Sequence, residues 1–249
     1  MRDRVAIVTG AAQGLGRAYA LRMAAEGARV AVADRNGAGA ERVAREIAES
    51  GGSAMAVQVD VANESSVVQM VGRVVQRWSK VDILVNNAAL FSELKLRPFV
   101  EIPLDEWEAV LHVNVTGVYL CCKAVFDPMR RQGYGKLINV SSAAWLMGRQ
   151  GYLHYVTSKA AVVGLTRALA REVGAYGITV NCIAPGATVT EVPRQTVSPE
   201  QARQMIAQRC IQREQTPGDV VGLVVFLASS ESDFISGQTF VVDGGLWML

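Results

Sequence analysis

The stretch Arg4–Gly16, RVAIVTGAAQGLG, joins an apolar run to a glycine-rich turn that opens a helical pattern. Val5 to Val8 carry no polar residue between them, as expected of a strand covered on both faces. Glycines 10, 14 and 16 allow a tight turn, a close backbone approach and close packing of the following helix. Such a turn directs the free amides of a helix N-terminus toward an anion such as a pyrophosphate. The spacing is G-x-x-x-G-x-G, which differs from the G-x-G-x-x-G of the commonest dinucleotide fingerprint. Glycine turns that hold no ligand are also common, so the turn alone leaves both readings open.

Outward from this unit the same alternation repeats. Strands are predicted at 4–9, 29–33, 54–59, 81–85, 136–140, 178–183 and 239–242. Amphipathic helices are predicted at 15–26, 38–50, 64–78, 104–131, 152–176, 199–208 and 217–228. Strict alternation implies a parallel sheet with right-handed crossovers. The prediction is an α/β single domain over residues 1–249, a doubly wound, seven-stranded parallel sheet with helices on both faces. Residues 187–213 are the irregular part, rich in Thr, Gln, Arg and Pro. A long insertion near the carboxyl ends of strands is a candidate substrate-binding lid.

Bulk properties narrow the function. The chain has 249 residues, 50% hydrophobic, and a formal net charge of +2 with no block of like charges. That gives no support to nucleic-acid or membrane-surface binding. Cys121, Cys122, Cys182 and Cys210 form neither a C-x-x-C pair nor zinc spacing with the two histidines, so reduced thiols and no metal are expected. MRDRVAIVTG is too short in its apolar part for a signal peptide, and the run near 220–228 is too short for a membrane span. A soluble, cytoplasmic protein is the expectation.

Two features carry chemistry. Asp34 ends the second strand, eighteen residues past Gly16, where a carboxylate can accept hydrogen bonds from a ribose diol. The alternative is a solvated turn aspartate. A carboxylate there repels a 2′-phosphate and favours NAD over NADP, while the adjacent Arg35 acts in the opposite sense. YVTSK, Tyr155–Lys159, puts a phenol and an ammonium one helical turn apart. YLCCK, Tyr119–Lys123, has the same spacing, so spacing alone does not choose between them.

In order along the chain stand TGAAQGLG (9–16), Asp34, Asp60-Val61, NNAA (86–89), Asn114, Ser142, YVTSK (155–159) and PGATVT (185–190). This series resembles the short-chain dehydrogenase/reductase family over essentially the whole chain, and the resemblance implies its Rossmann fold. The family places a serine thirteen residues before its tyrosine. Ser142 has that place for Tyr155, whereas Glu106 has it for Tyr119, so Tyr119 is expected to be a packing residue.

The resemblance implies that Tyr155 exchanges a proton with the substrate oxygen while hydride moves to or from a nicotinamide. A free tyrosine, with a pKa of about 10, is a poor acceptor at neutral pH. Lys159 and the positive nicotinamide favour the phenolate. Ser142 would hold the substrate oxygen, Lys159 the nicotinamide ribose, and Asn114 a water leading from Lys159 to solvent. Cofactor contacts implied by the resemblance are Gly10, Gln13, Gly14, Leu15 and Gly16 in the turn and Asp34 at the ribose. Asp60 and Val61 would meet the adenine, with Asn86, Asn87 and Ala88 after strand four. Pro185, Gly186, Thr188 and Thr190 would cover the nicotinamide. NNAA replaces the commoner NNAG, and Thr188 stands where the family usually has Ile or Val.

The substrate pocket is expected to draw on Phe91, Leu94, Trp145, Met147 and Tyr152, an apolar wall suited to an apolar or aryl secondary alcohol or its ketone. The alternatives are a 3-oxoacyl-acyl-carrier-protein reductase using NADPH, with Arg130, Arg131 and Arg171 facing an acidic carrier, a polyol or sugar dehydrogenase, and a silent dinucleotide-binding protein. In the family the C-terminal elements resemble homotetramer contacts. Trp247 and Leu249 are therefore expected at an interface or closing the monomer's own core.

Overall fold

The computed structural model describes residues 1–193 and 197–248. Seven parallel strands form one sheet: β1 (Val5–Thr9), β2 (Arg29–Asp34), β3 (Ser53–Gln58), β4 (Ile83–Asn86), β5 (Gly135–Val140), β6 (Ile178–Pro185) and β7 (Thr239–Val242). Their order is β3-β2-β1-β4-β5-β6-β7. Val8 pairs with Val32 on one side and Val85 on the other, so the chain reverses its winding direction at β1 and β4. Ligands of open parallel sheets bind where that reversal splays the connections apart.

The apolar runs of the strands serve two cores. Val5 and Ile7 face one of them, with Ala31, Leu84, Leu137 and Val180. Ala6 and Val8 face the other, with Val30, Ile83, Ile138 and Ile183. Helices α3 (Glu64–Trp78), α5 (Gly117–Gln132) and α7 (Leu153–Val173), the last preceded by the short α6 (Ala144–Met147), cover the first face through residues such as Met70, Val125 and Val162. Helices α1 (Gly14–Ala25), α2 (Gly37–Glu49) and α9 (Gly218–Ala228) cover the second through Met23, Ile47 and Val224. Burial on both sides is why central strands such as β1 and β4 open on continuous apolar runs. The fold is the doubly wound Rossmann type.

Two expectations need correction. The helix predicted over 104–131 is not continuous: α4 (Leu104–Leu111) and α5 are joined by a π-helical turn, His112–Thr116. Tyr119, expected to pack, is 53% exposed, and Lys123 beside it pairs with Glu64 at 2.7 Å. Residues 104–132 are long and apolar enough to cross a membrane by length and composition, but here α5 packs against α3, β4 and β5. In the irregular segment, α8 (Pro199–Gln208) carries a capping box between Ser198 and Gln201. Arg194–Thr196 of the expected lid, and Leu249 of the expected interface, lie outside the described residues.

Asp82 ties the foot of the sheet together. Its buried carboxylate accepts from the Val5 amide at 2.8 Å, Arg4 Nη1 at 3.0 Å and Lys80 Nζ at 2.9 Å. Its backbone links β1 and β5, donating to Val5 O and accepting from the Lys136 amide, each at 2.9 Å. Asp82→Ala strands a buried amide and two cations, and is expected to lower the unfolding free energy by about 2–3 kcal/mol. The measurement is the urea midpoint at unchanged m-value; a loss below about 0.5 kcal/mol would mean that the bonds to Asp82 add nothing to stability.

Candidate active site

The cleft opens above the β1/β4 reversal and has a volume of about 360 Å3. Gly10 and Gly14 sit at φ of +64° and +59°, where L side chains are strained. A Cβ on Gly10 would lie 2.7 Å from Ala88 Cα, and one on Gly16 would lie 2.0 Å from Gly10 O. The turn therefore needs glycine for its approach to the loop after β4. Thr9 and Asn87 hold that approach. Thr9 Oγ1 accepts from the amides of Asn87 and Ala88 at 3.1 Å, and Asn87 Nδ2 donates to Thr9 O and Gly10 O at 3.0 Å.

This geometry suits a dinucleotide. The Gly14 amide, at the N-terminus of α1, donates to Glu191 Oε1 at 2.9 Å, so an anion already sits on it. Asp34 Oδ2 accepts from the Ala12 amide and Oδ1 from that of Asn36, both at 2.9 Å. These bonds fix the carboxylate at the rim of the cleft. Gln13, Leu15, Asp60, Val61 and Ala88 also line it, as do Pro185, Gly186 and Thr190 at the far side. Asn86 and Thr188 do not. Asn86 lies below the floor, donating to Asn139 Oδ1 at 2.9 Å and Cys122 Sγ at 3.3 Å. Thr188 is buried in a β-bridge to Gln215.

The other end of the cleft gathers Ser142, Tyr155 and Lys159. Ser142 stands just beyond β5, its Oγ accepting from the Ala144 amide at 3.2 Å. Helix α7 presents Tyr155 and Lys159 on one face, with Lys159 Nζ 5.7 Å from the Tyr155 ring centroid. Lys159 is buried and donates to Val140 O at 2.9 Å, while Ser141 Oγ holds the Lys159 carbonyl at 2.7 Å. Asn114 supports this face from behind without lining the cleft. Its Oδ1 accepts from the Leu90 amide at 2.8 Å, and its Nδ2 donates to Ser158 Oγ at 3.1 Å and to Leu90 O at 3.3 Å. Ser158 Oγ in turn donates to Tyr155 O at 2.7 Å. The π-helical turn is what lets a helical asparagine grip a loop backbone at both its groups.

A family model described as enoyl-(acyl-carrier-protein) reductase matches residues 10–247. A 3-oxoacyl-[acyl-carrier-protein] reductase of Synechocystis is 40% identical, the match covering 98% of this chain and 97% of that protein. The chain belongs to the short-chain dehydrogenase/reductase family. An uncharacterized oxidoreductase of Mycobacterium tuberculosis is 45% identical over 98% of this chain and 97% of its own. The crystal structure of levodione reductase superposes with a TM-score of 0.92 at 32% identity, covering 98% of each chain.

In this short-chain dehydrogenase/reductase the apolar wall differs from the expected one. Phe91, Met147 and Tyr152 line the cleft, with the Phe91 ring 4.7 Å from that of Tyr155. Leu94 and Trp145 do not. Leu94 packs under Tyr152 and Tyr155 in a small core, and Trp145 packs against the core beneath α7. Apolar residues in one loop share no period that would tell which way each points. Trp247, expected at an interface or in the monomer's core, lines the cleft itself, as do Leu246 and Met205 of α8. Arg149 does so too, in a loop read as apolar.

Burial pushes the Lys159 ammonium down to about 8 from its ordinary 10.5, a shift that the neighbouring Cys182 only partly opposes. Between those two values the unfolded chain holds a proton that the folded one has lost. Lys159 therefore destabilises the fold most below pH 8, and its penalty fades as pH rises toward 10.5. Lys159→Met is expected to match or exceed the wild type in stability at pH 7 while losing activity. The gap in urea midpoint should shrink between pH 7 and pH 10; a mutant less stable at pH 7 would refute a penalised buried cation.

Proposed function

We propose that this oxidoreductase transfers a hydride between NAD(H) and a secondary alcohol or ketone that carries an apolar or aryl group. The observation that carries this reading is the cleft that has Asp34 at one end and Ser142, Tyr155 and Lys159 at the other. Bound between them, a nicotinamide dinucleotide supplies or accepts the hydride. Tyr155 takes the hydroxyl proton of the alcohol as phenolate, or returns it to the ketone oxygen. Lys159 remains largely protonated at neutral pH and favours that phenolate. Ser142 donates to the substrate oxygen and stabilises the charge it gathers in the transition state.

Asn114, through Ser158 and Leu90, keeps the Tyr155 face in register with the loop that carries Phe91, and holds a water that connects Lys159 to solvent. Asp34 selects NAD. Each of its oxygens takes one amide bond and keeps a lone pair for a ribose hydroxyl, while its charge repels a 2′-phosphate. The described parts of the 187–213 segment, with Thr190, Val192 and Met205 at the cleft, act as the lid over the substrate, and Phe91, Met147 and Tyr152 supply the apolar wall. The protein assembles as a homotetramer in the cytoplasm, with exposed Phe99, Val100 and Phe234 as apolar contact surface.

A second reading, NADPH-dependent reduction of a 3-oxoacyl thioester, draws on the names of relatives 40% identical to this chain. Initial rates with NAD and NADP against aliphatic and aryl secondary alcohols separate the two. NAD-linked oxidation is expected, and Tyr155→Phe should cut kcat by about 10²–10⁴-fold. Asp34→Ser should narrow the preference for NAD. Silence with every alcohol, together with NADPH-dependent reduction of a 3-oxoacyl thioester, would replace the first reading by the second.

A further inference from the structure

One cation in the substrate end of the cleft has no part in the scheme above. The loop before α7 turns sharply at Gly148 (φ +60°) and Gly151 (φ +81°), and Arg149 between them lines the cavity that also holds Tyr152 and Tyr155. Its guanidinium carbon lies 5.1 Å from the centroid of the Tyr152 ring. Arg149 is partly buried, and this burial works against its charge while the two tyrosines favour it. Tyr152 is fully buried, and its hydroxyl has no hydrogen-bond partner among the described residues.

A buried hydroxyl without a partner is costly, and a partly desolvated guanidinium favours an anion that can take two parallel hydrogen bonds. We propose that Arg149 and Tyr152 form a carboxylate subsite, so that the substrate is an oxo or hydroxy acid rather than a neutral ketone or alcohol. One planar cation and one phenol suit a monoanionic carboxylate. A phosphate would call for several cations or a nest of amides. The apolar or aryl body of the substrate lies on Phe91 and Met147, and its acid group points to Arg149. The inference rests on the cleft being a carbonyl–alcohol site, with the same hydride and proton transfers.

Two matched pairs of ketones test it in the reductive direction. 2-Oxo-4-phenylbutanoate is set against 4-phenyl-2-butanone, and 4-oxo-4-phenylbutanoate against its methyl ester. At least one acid is expected to exceed its neutral partner by about tenfold in kcat/KM, and Arg149→Gln to remove about 10–100-fold from the acid alone. Arg149→Lys should restore part of that loss, and an unchanged thermal midpoint confirms that Arg149→Gln folds. A preference for the neutral ketone in both pairs would overturn the subsite. So would equal losses for acid and neutral partner, which would make Arg149 a modulator of Tyr155. Absence of turnover with all four ketones would fail the reaction itself. In that case calorimetric titration of each acid, with NAD present, still reads the subsite: weaker binding to Arg149→Gln supports it, and equal affinities overturn it.

Discussion

The site depends on the bonds that tie the end of β1 to the end of β4. Four hydrogen bonds join Thr9 and Gly10 to Asn87 and Ala88 across the point where the winding of the sheet reverses. They bring Gly10 so close to Ala88 that no side chain fits between. A cleft at a topological reversal would otherwise be two loops free to separate. Here they form one rigid floor, and the orientation of α1, with its N-terminal amides toward the cleft, follows from it.

The opposite wall is built from buried polar groups rather than apolar packing. Asn114, Ser158, Ser141 and Lys159 lie within the fold, each held by backbone or by one another. Interior polar groups are tolerated when their bonds are complete, and they then define one arrangement where apolar contacts would allow several. The buried charge on Lys159 is the exception, since it opposes folding near neutral pH. The proposed reaction gives its retention a reason, since there the ammonium acts on the phenol of Tyr155.

Most of the fold is legible in the sequence because both faces of the sheet are covered. Runs such as VAIV (5–8) and VAVA (30–33) carry no polar interruption, and Gly10 and Asp34 mark their carboxyl ends. The π-helical turn at Asn114 is not legible, because the apolar pattern continues through it and the turn is set by a tertiary partner, the Leu90 backbone. Direction within loops is hidden for the same reason. Leu94 and Trp145 turn to the core, Met147 and Trp247 line the cleft, and the loop Gly148–Gly151 carries a charge into an apolar wall. Each outcome depends on neighbours distant in the chain. Asn87 is expected at the cofactor and does line the cleft, but its role as a clamp appears only once its three bonds to Thr9 and Gly10 are seen.

The bond from Gly14 to Glu191 bears on how this protein meets anions. The carboxylate belongs to the segment that leaves β6, so it is a tethered competitor, present at an effective concentration that is on the order of millimolar for short flexible connections. An incoming anion must exchange with it rather than fill an empty place. The affinity observed is then a difference between two occupants of one amide. Release of Glu191 also frees its own stretch of chain, so occupancy at the turn is felt at the entrance to the segment carrying α8.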